Sequence, residues 1–226
     1  LEGYLDAHGI ETTTEERLGD PLLRLAGPSG LSLELVATPD APATPPWAER
    51  PFAEARAIRG FHAPTLPVFA DDRTPALFAD VFGWTQVGTE GDRVRFRAPG
   101  AGRASSVDLL VRDRHPSGRM GRGQVHHVAF RAPSATAQRH WQAALREHGL
   151  QVTDVKDRQY FQSIYFRDPD WTSGLLFEIA TDGPGFLVDE EKADLGRSLC
   201  LPPALESRRE ELDEGLPSLS PPSPSN

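Results

Sequence analysis

The sequence predicts an α+β fold of repeated βαβββ modules that form curved mixed sheets, on three observations. Two stretches, 58–113 and 122–182, show one order of elements: a short apolar run, a helix-patterned segment, then three more strand-like runs. The runs are of strand length, rich in β-branched and aromatic residues, and bounded by turn residues. Short motifs also recur. His148-Gly149-Leu150 echoes His8-Gly9-Ile10, Gly174 to Glu178 echoes Gly30 to Glu34, and Phe61-His62 echoes His126-His127.

In chain order, Leu1 to Gly9 has the pattern of a helix end closed by a C-cap glycine, and polar turns follow. Leu22 to Leu25 and Leu31 to Val36 are strands joined by a Gly27-Pro28-Ser29-Gly30 turn. Residues 1–38 thus form the end of a module whose start is expected before residue 1. A proline-rich linker occupies 39–57, where Pro39 to Pro51 suit neither helix nor strand. The module 58–113 opens with a strand at Ile58 to Leu66, which Pro64 confines to an edge or bulge. Its helix follows, with Thr74 as N-cap, Pro75 at the first position and Gly83 as the stop. Strands at Thr85 to Val87, Arg93 to Arg97 and Ser106 to Val111 complete it.

The module 122–182 repeats the plan. A strand at Gly123 to Phe130 leads to a helix from Ala135 to His148, then strands at Gln151 to Val155, Tyr160 to Arg167 and Leu175 to Ala180. Asp168-Pro169-Asp170 is the turn between the last two. A C-terminal extension spans 183–217, with a charged helix at Glu206 to Leu212, and a Pro/Ser-rich tail closes the chain at 218–226.

A net charge of -9 over 226 residues disfavours nucleic acid, because no basic stripe is available for phosphates. No run approaches the roughly 20 apolar residues of a membrane span. The single cysteine, Cys200, fits a reducing cytoplasm and is most simply a packing residue.

Ionisable groups inside apolar strands mark the candidate site. Side chains alternate on a strand, so His126 and His127 should face opposite ways. His127 shares its face with the smaller Val125 and Ala129, and His126 shares its face with Val128 and Phe130. His127 is therefore the better ligand candidate. Glu178, among Leu176 and Ala180, is costly unless paired or bound to a cation. A divalent metal shared by His127 and Glu178 removes the cost, and His plus carboxylate with open positions suits Fe(II) or Mn(II). Glu34 is the repeat mate of Glu178, and His62 that of His127. A strand histidine is ordinarily a packing residue; its repetition beside a carboxylate argues otherwise.

The sequence resembles the vicinal oxygen chelate (glyoxalase/extradiol dioxygenase) superfamily, in particular ring-cleaving dioxygenases of hydroquinones. The resemblance is carried by Val125 to Phe130, Asp157 to Arg167, Leu176 to Asp182, Pro184-Gly185-Phe186, Leu201-Pro202-Pro203 and Glu206 to Arg209. It implies four βαβββ modules and Fe(II) held by two His and one Glu, with His127 and Glu178 as ligands here. It also implies His126, Arg158 and Tyr165 as catalytic residues around an aromatic diol and O2. The third ligand is expected on a module preceding residue 1, with His62 as the alternative. Asp170 to Ser173 is longer than the family's usual turn. Two other readings remain: a glyoxalase-like lyase or isomerase, in which Glu34 must reach the metal, and a non-catalytic binding module. A homo-oligomer is compatible with all three.

Overall fold

Three sheets carry the chain in the computed structural model, which describes residues 1–38, 45–46, 57–70, 73–100, 104–113, 121, 124–169 and 173–217. Most of the proline-rich linker, Gly123, the turn residues 170–172 and the tail 218–226 lie outside the described residues. The first sheet is an antiparallel meander of β1 (Thr13–Arg17), β2 (Asp20–Ala26) and β3 (Ser32–Val36), preceded by α1 (Glu2–Ala7). β1 lies where the sequence reading expects polar turns. Its run Thr-Thr-Glu-Glu-Arg has no apolar alternation, and pairing with β2 along its whole length makes it a strand.

The second sheet holds β4 (Thr65–Phe69), β5 (Thr85–Glu90), β6 (Arg93–Arg97) and β7 (Ser106–Arg112), in the order β4-β7-β6-β5. Its helix α2 runs over Arg73–Ala76 and continues as a wider π turn over Leu77–Val81, stopped at Gly83 with φ 66°. The third sheet repeats this arrangement as β8-β11-β10-β9. Its strands are β8 (Val128–Ala132), β9 (Lys156–Asp157), β10 (Gln162–Arg167) and β11 (Leu176–Thr181). In both sheets the first strand pairs parallel with the last and the other pairings are antiparallel.

Five further expectations need correction. The strand expected at Ile58 to Leu66 begins only at Thr65, and the one expected from Gly123 only at Val128, so His62 and His127 both stand on lead-in segments. The strand expected at Gln151 to Val155 is reduced to a bridge at Val152, and the two-residue β9 follows it, because no apolar alternation runs through this stretch. Thr74 does not cap its helix; it is buried, and its hydroxyl donates to Asp168 at 2.5 Å. The charged helix begins as a 3-10 turn over Pro203–Arg208 and becomes α4 over Arg209–Gly215.

The helix of the third module, α3 (Ala135–Glu147), is capped by the Ser134 hydroxyl, which accepts from the Ala137 N–H. Its C-terminus explains the repeated His-Gly motif. His148 Nδ1 lies 2.8 Å from the Ala144 carbonyl, and His8 Nδ1 lies 2.8 Å from that of Tyr4. Gly149 and Gly9 both take positive φ, and the following N–H reaches back to Leu145 and Leu5 at 3.1 and 3.0 Å. This is one helix stop used twice.

The core lies between the second and third sheets, and the helical segments add Leu77, Phe78 and Leu145 to it. Leu66, Val68, Phe96, Val107 and Leu109 come from one sheet, Ile164, Phe166, Phe177 and Ile179 from the other. Phe78 of α2 sits at the centre, its ring 5.7 Å from Phe96 and 6.2 Å from Phe177. Strand alternation therefore sends Glu178, Tyr165 and Ser163 to the opposite face from Phe177, Ile164 and Phe166. The first sheet covers the outer face of the second. Gly88 permits the close approach, since a Cβ there would stand 3.2 Å from Leu18.

Phe78→Ala should leave a cavity shared by both modules and cost about 3–5 kcal/mol in urea denaturation. A loss under 1 kcal/mol would mean that the two sheets do not depend on a common core.

Candidate metal and substrate site

Glu178 is the buried centre of a small polar cluster on the outer face of the third sheet. It lies opposite Tyr165 in the β10–β11 ladder and opposite Ala129 in the β8–β11 ladder. The Tyr165 hydroxyl donates to Glu178 Oε1 at 2.9 Å, and the Ser163 hydroxyl donates to the same oxygen. The other oxygen, Oε2, lies 2.7 Å from His127 Nε2. The Glu178 side chain is 4% exposed and that of His127 33%, so the imidazole forms the solvent edge of the pair.

The two neighbouring histidines meet instead of diverging. Strand alternation predicts opposite faces, yet His126 Nδ1 lies 2.9 Å from His127 Nδ1 with the rings perpendicular. The ladder starts only at Val128, so alternation does not govern the preceding residues. Arg158 arrives from a tight turn in which Gln159 takes φ 66° and its N–H binds Asp157 at 2.8 Å. Its guanidinium stands 5.4 Å from the Tyr165 ring centre, with Nη2 3.3 Å from the hydroxyl. All five residues singled out from the sequence, His126, His127, Arg158, Tyr165 and Glu178, thus lie in one contact chain.

His62 and Glu34 lie elsewhere. Among the described residues no three His, Cys, Asp or Glu side chains gather as a metal-holding group, so neither completes a set with His127 and Glu178. Both belong to an ionic chamber between the first and second sheets. There Asp108 of β7, 2% exposed, accepts from Arg95 Nε at 2.6 Å and from Arg93 Nη1 at 2.8 Å. Glu34 lies 3.5 Å from Arg17 and 3.9 Å from Arg93, and Arg95 also binds Asp20 at 3.1 Å. His62 Nε2 is enclosed there without a hydrogen-bond partner among the described residues, 3.9 Å from Asp20.

Asp108 was not singled out from the sequence. It faces Arg95 in its ladder as Glu178 faces Tyr165 in the third sheet. The two arginines at alternate positions on β6, aimed at one strand carboxylate, were the available signal. Ser163 was missed too; a small hydroxyl two residues before Tyr165 shares its face.

The contrast between the two carboxylates tests the fit to a metal. Burial alone would raise the Asp108 pKa, but donation from Arg95 and Arg93 outweighs it and holds the carboxyl below its usual range. Glu178 has only hydroxyls and an imidazole as partners among the described residues. No arginine or lysine pairs with it among the described residues, and a hard oxygen beside an imidazole nitrogen suits a divalent ion. The residues present therefore fit such an ion with two ligands. A cleft of about 850 Å3 lined by Glu2, Asp6, Arg24 and Ser32 lies at the first sheet and contains none of these groups.

The chain matches the family model described as the Glyoxalase/Bleomycin resistance protein/Dioxygenase superfamily over residues 25–179. It is 38% identical over 216 residues to "Putative ring-cleaving dioxygenase MhqO" of Bacillus subtilis (strain 168), covering 95% of this chain and 67% of that protein. It is 31% identical over 205 residues to "Chlorohydroquinone/hydroquinone 1,2-dioxygenase" of Sphingobium indicum, covering 87% and 61%. A crystal structure of a "putative dioxygenase" from Bacillus subtilis subsp. subtilis str. 168 superposes with TM-score 0.86 at 37% identity, covering 97% of this chain and 69% of that one. The chain spans 52% to 67% of the length of the curated relatives it matches. Among the described residues no helix is long and apolar enough to cross a membrane.

The chamber has a defined acid response. Burial, then the nearby Arg95 charge, pushes the His62 pKa below 6.5. The unfolded chain therefore takes up this proton first, and stability should fall as pH drops from about 6.5. Asp108 contributes stability above its unfolded value near 3.8, and that contribution is lost as pH falls through its lower folded value. Urea midpoints measured from pH 7 to pH 3 should decline in two stages, and His62→Gln should remove the first. Asp108→Asn should cost about 3–5 kcal/mol at pH 7 by leaving buried guanidinium charge uncompensated.

Proposed function

Because the chain belongs to the glyoxalase/bleomycin resistance protein/dioxygenase superfamily, we propose that it carries the metal-facing sheet of a ring-cleaving dioxygenase. The substrate is a hydroquinone- or catechol-type aromatic diol, opened with O2 at a non-haem Fe(II) site, for which Mn(II) is also suited. One observation carries this reading: a buried carboxylate, Glu178, whose partners among the described residues are two hydroxyls and an imidazole, with no arginine or lysine. The printed names of the relatives, which describe ring-cleaving and hydroquinone dioxygenases, support the reaction class.

His127 through Nε2 and Glu178 through Oε2 would hold the ion. When bound, it supplies open coordination positions and one-electron chemistry with dioxygen. The protein groups supply the rest. With His127 Nε2 committed to the ion, its proton resides on Nδ1 and is donated to His126 Nδ1, 2.9 Å away. That bond leaves the His126 Nε2–H as a donor on the exposed side, where it holds a developing negative oxygen on substrate. Arg158, exposed at the rim, draws in the anionic form of the diol and balances its charge.

Tyr165 has one proton, and it is given to Glu178 Oε1 while Arg158 donates to the same hydroxyl. Proton handling therefore falls to His126, and Tyr165 acts through Glu178. The lyase or isomerase alternative needs a second carboxylate on the metal, and Glu34 is engaged with Arg17 and Arg93.

Two protein ligands do not close a site, so Mn(II) should bind this chain weakly, and His127→Ala or Glu178→Gln should remove the binding. Oxygen uptake by the full-length, Fe(II)-loaded protein should be observed with hydroquinone or catechol and not with the methylglyoxal–glutathione adduct. Uptake that survives Glu178→Gln would refute the assignment.

A further inference from the structure

Ser163 is fully buried on β10, and its hydroxyl donates to Glu178 Oε1. The Tyr165 hydroxyl donates to that same oxygen at 2.9 Å, whereas Oε2 faces His127 Nε2 at 2.7 Å. A carboxylate oxygen offers two lone pairs in the carboxylate plane, and two hydroxyl protons fill Oε1. We propose that Ser163 is a positioning residue: with Tyr165 it occupies Glu178 Oε1 and confines Glu178 to holding a divalent cation through Oε2 alone. This rests on the reading that His127 and Glu178 hold such an ion.

The backbone presets the arrangement. Ser163 and Tyr165 are two residues apart on one face of β10, and Glu178 stands opposite Tyr165 and diagonal to Ser163. Both strands are tied together beside these residues by Gln138 of α3. Its Nε2 donates at 2.7 Å to the carbonyls of Gln162 and Ile179, the residues adjacent to Ser163 and Glu178. The strand register therefore sets the serine hydroxyl against Oε1. Remove it, and Oε1 keeps an unfilled lone pair in a site with little water. The available remedy is rotation of the carboxylate until both oxygens face the cation.

The test is Mn(II) titration of the 226-residue chain, followed by the magnetic resonance signal of free Mn(II) and by the Mn(II)-minus-apo difference infrared spectrum. Wild type should show the wide separation of carboxylate stretches that marks single-oxygen binding, and Glu178→Gln should remove it. Ser163→Ala should narrow the separation and weaken Mn(II) binding about tenfold, and Ser163→Thr, which keeps the hydroxyl, should restore both. A folded Ser163→Ala protein with wild-type bands and affinity overturns the proposal, as does a folded Ser163→Thr that behaves like Ser163→Ala. If Ser163→Ala does not fold, Ser163→Cys replaces it: a similar shape with a much weaker donor should narrow the bands, and unchanged bands overturn the proposal. Mn(II) binding that survives Glu178→Gln sinks the cation reading, and the serine proposal with it. Loss of binding in Glu178→Gln together with an unchanged Ser163→Ala sinks the serine proposal alone.

Discussion

The buried carboxylate of Glu178 constrains the site more than any other group. A carboxylate removed from water must be matched by charge or by donors, and here the partners are two hydroxyls and an imidazole among the described residues. The second sheet solves the same problem differently. Asp108 occupies the corresponding place in its ladder and is matched by Arg93 and Arg95, which complete its electrostatics within the protein. One fold position thus has two outcomes: a carboxylate sealed by guanidinium groups, and a carboxylate met by two hydroxyls and an imidazole. The difference lies in the residue across the ladder, Arg95 in one sheet and Tyr165 in the other.

The rest of the molecule holds that outer face in place. Phe177 and Ile179, on either side of Glu178, are driven into the shared core, and this fixes the direction of the carboxylate between them. The turn joining β10 to β11 is tied to the neighbouring module through Asp168. Its buried carboxylate accepts from Thr74 at 2.5 Å and from Ser173 at 2.7 Å. The register that sets Tyr165 opposite Glu178 is therefore supported from both modules.

Much of the repeat was legible because repeated local physics leaves repeated letters. The His-Gly pairs at residues 8–9 and 148–149 mark the same helix stop, in which histidine satisfies a carbonyl and glycine supplies positive φ. Alternation along β11 set Glu178 on the face opposite the core residues Phe177 and Ile179, since a ladder enforces period two. The reading failed where no ladder or apolar pattern stood behind it. β1 is made by its partner β2, the lead-in before Val128 brings two histidines together, and Thr74 serves a carboxylate instead of its own helix.

By itself the sequence determined the α+β modules, the face of Glu178 on its strand, and His127 and Glu178 as the pair to watch, because periodicity and misplaced charge are properties of single segments. Only the tertiary structure decided which carboxylate is neutralised by arginine, that Ser163 and Tyr165 share one oxygen of Glu178, and that His62 and Glu34 belong to a separate chamber. Those outcomes depend on which strands pair and in what register. Residues far apart in the chain acquire their electrostatic partners only when the ladders close.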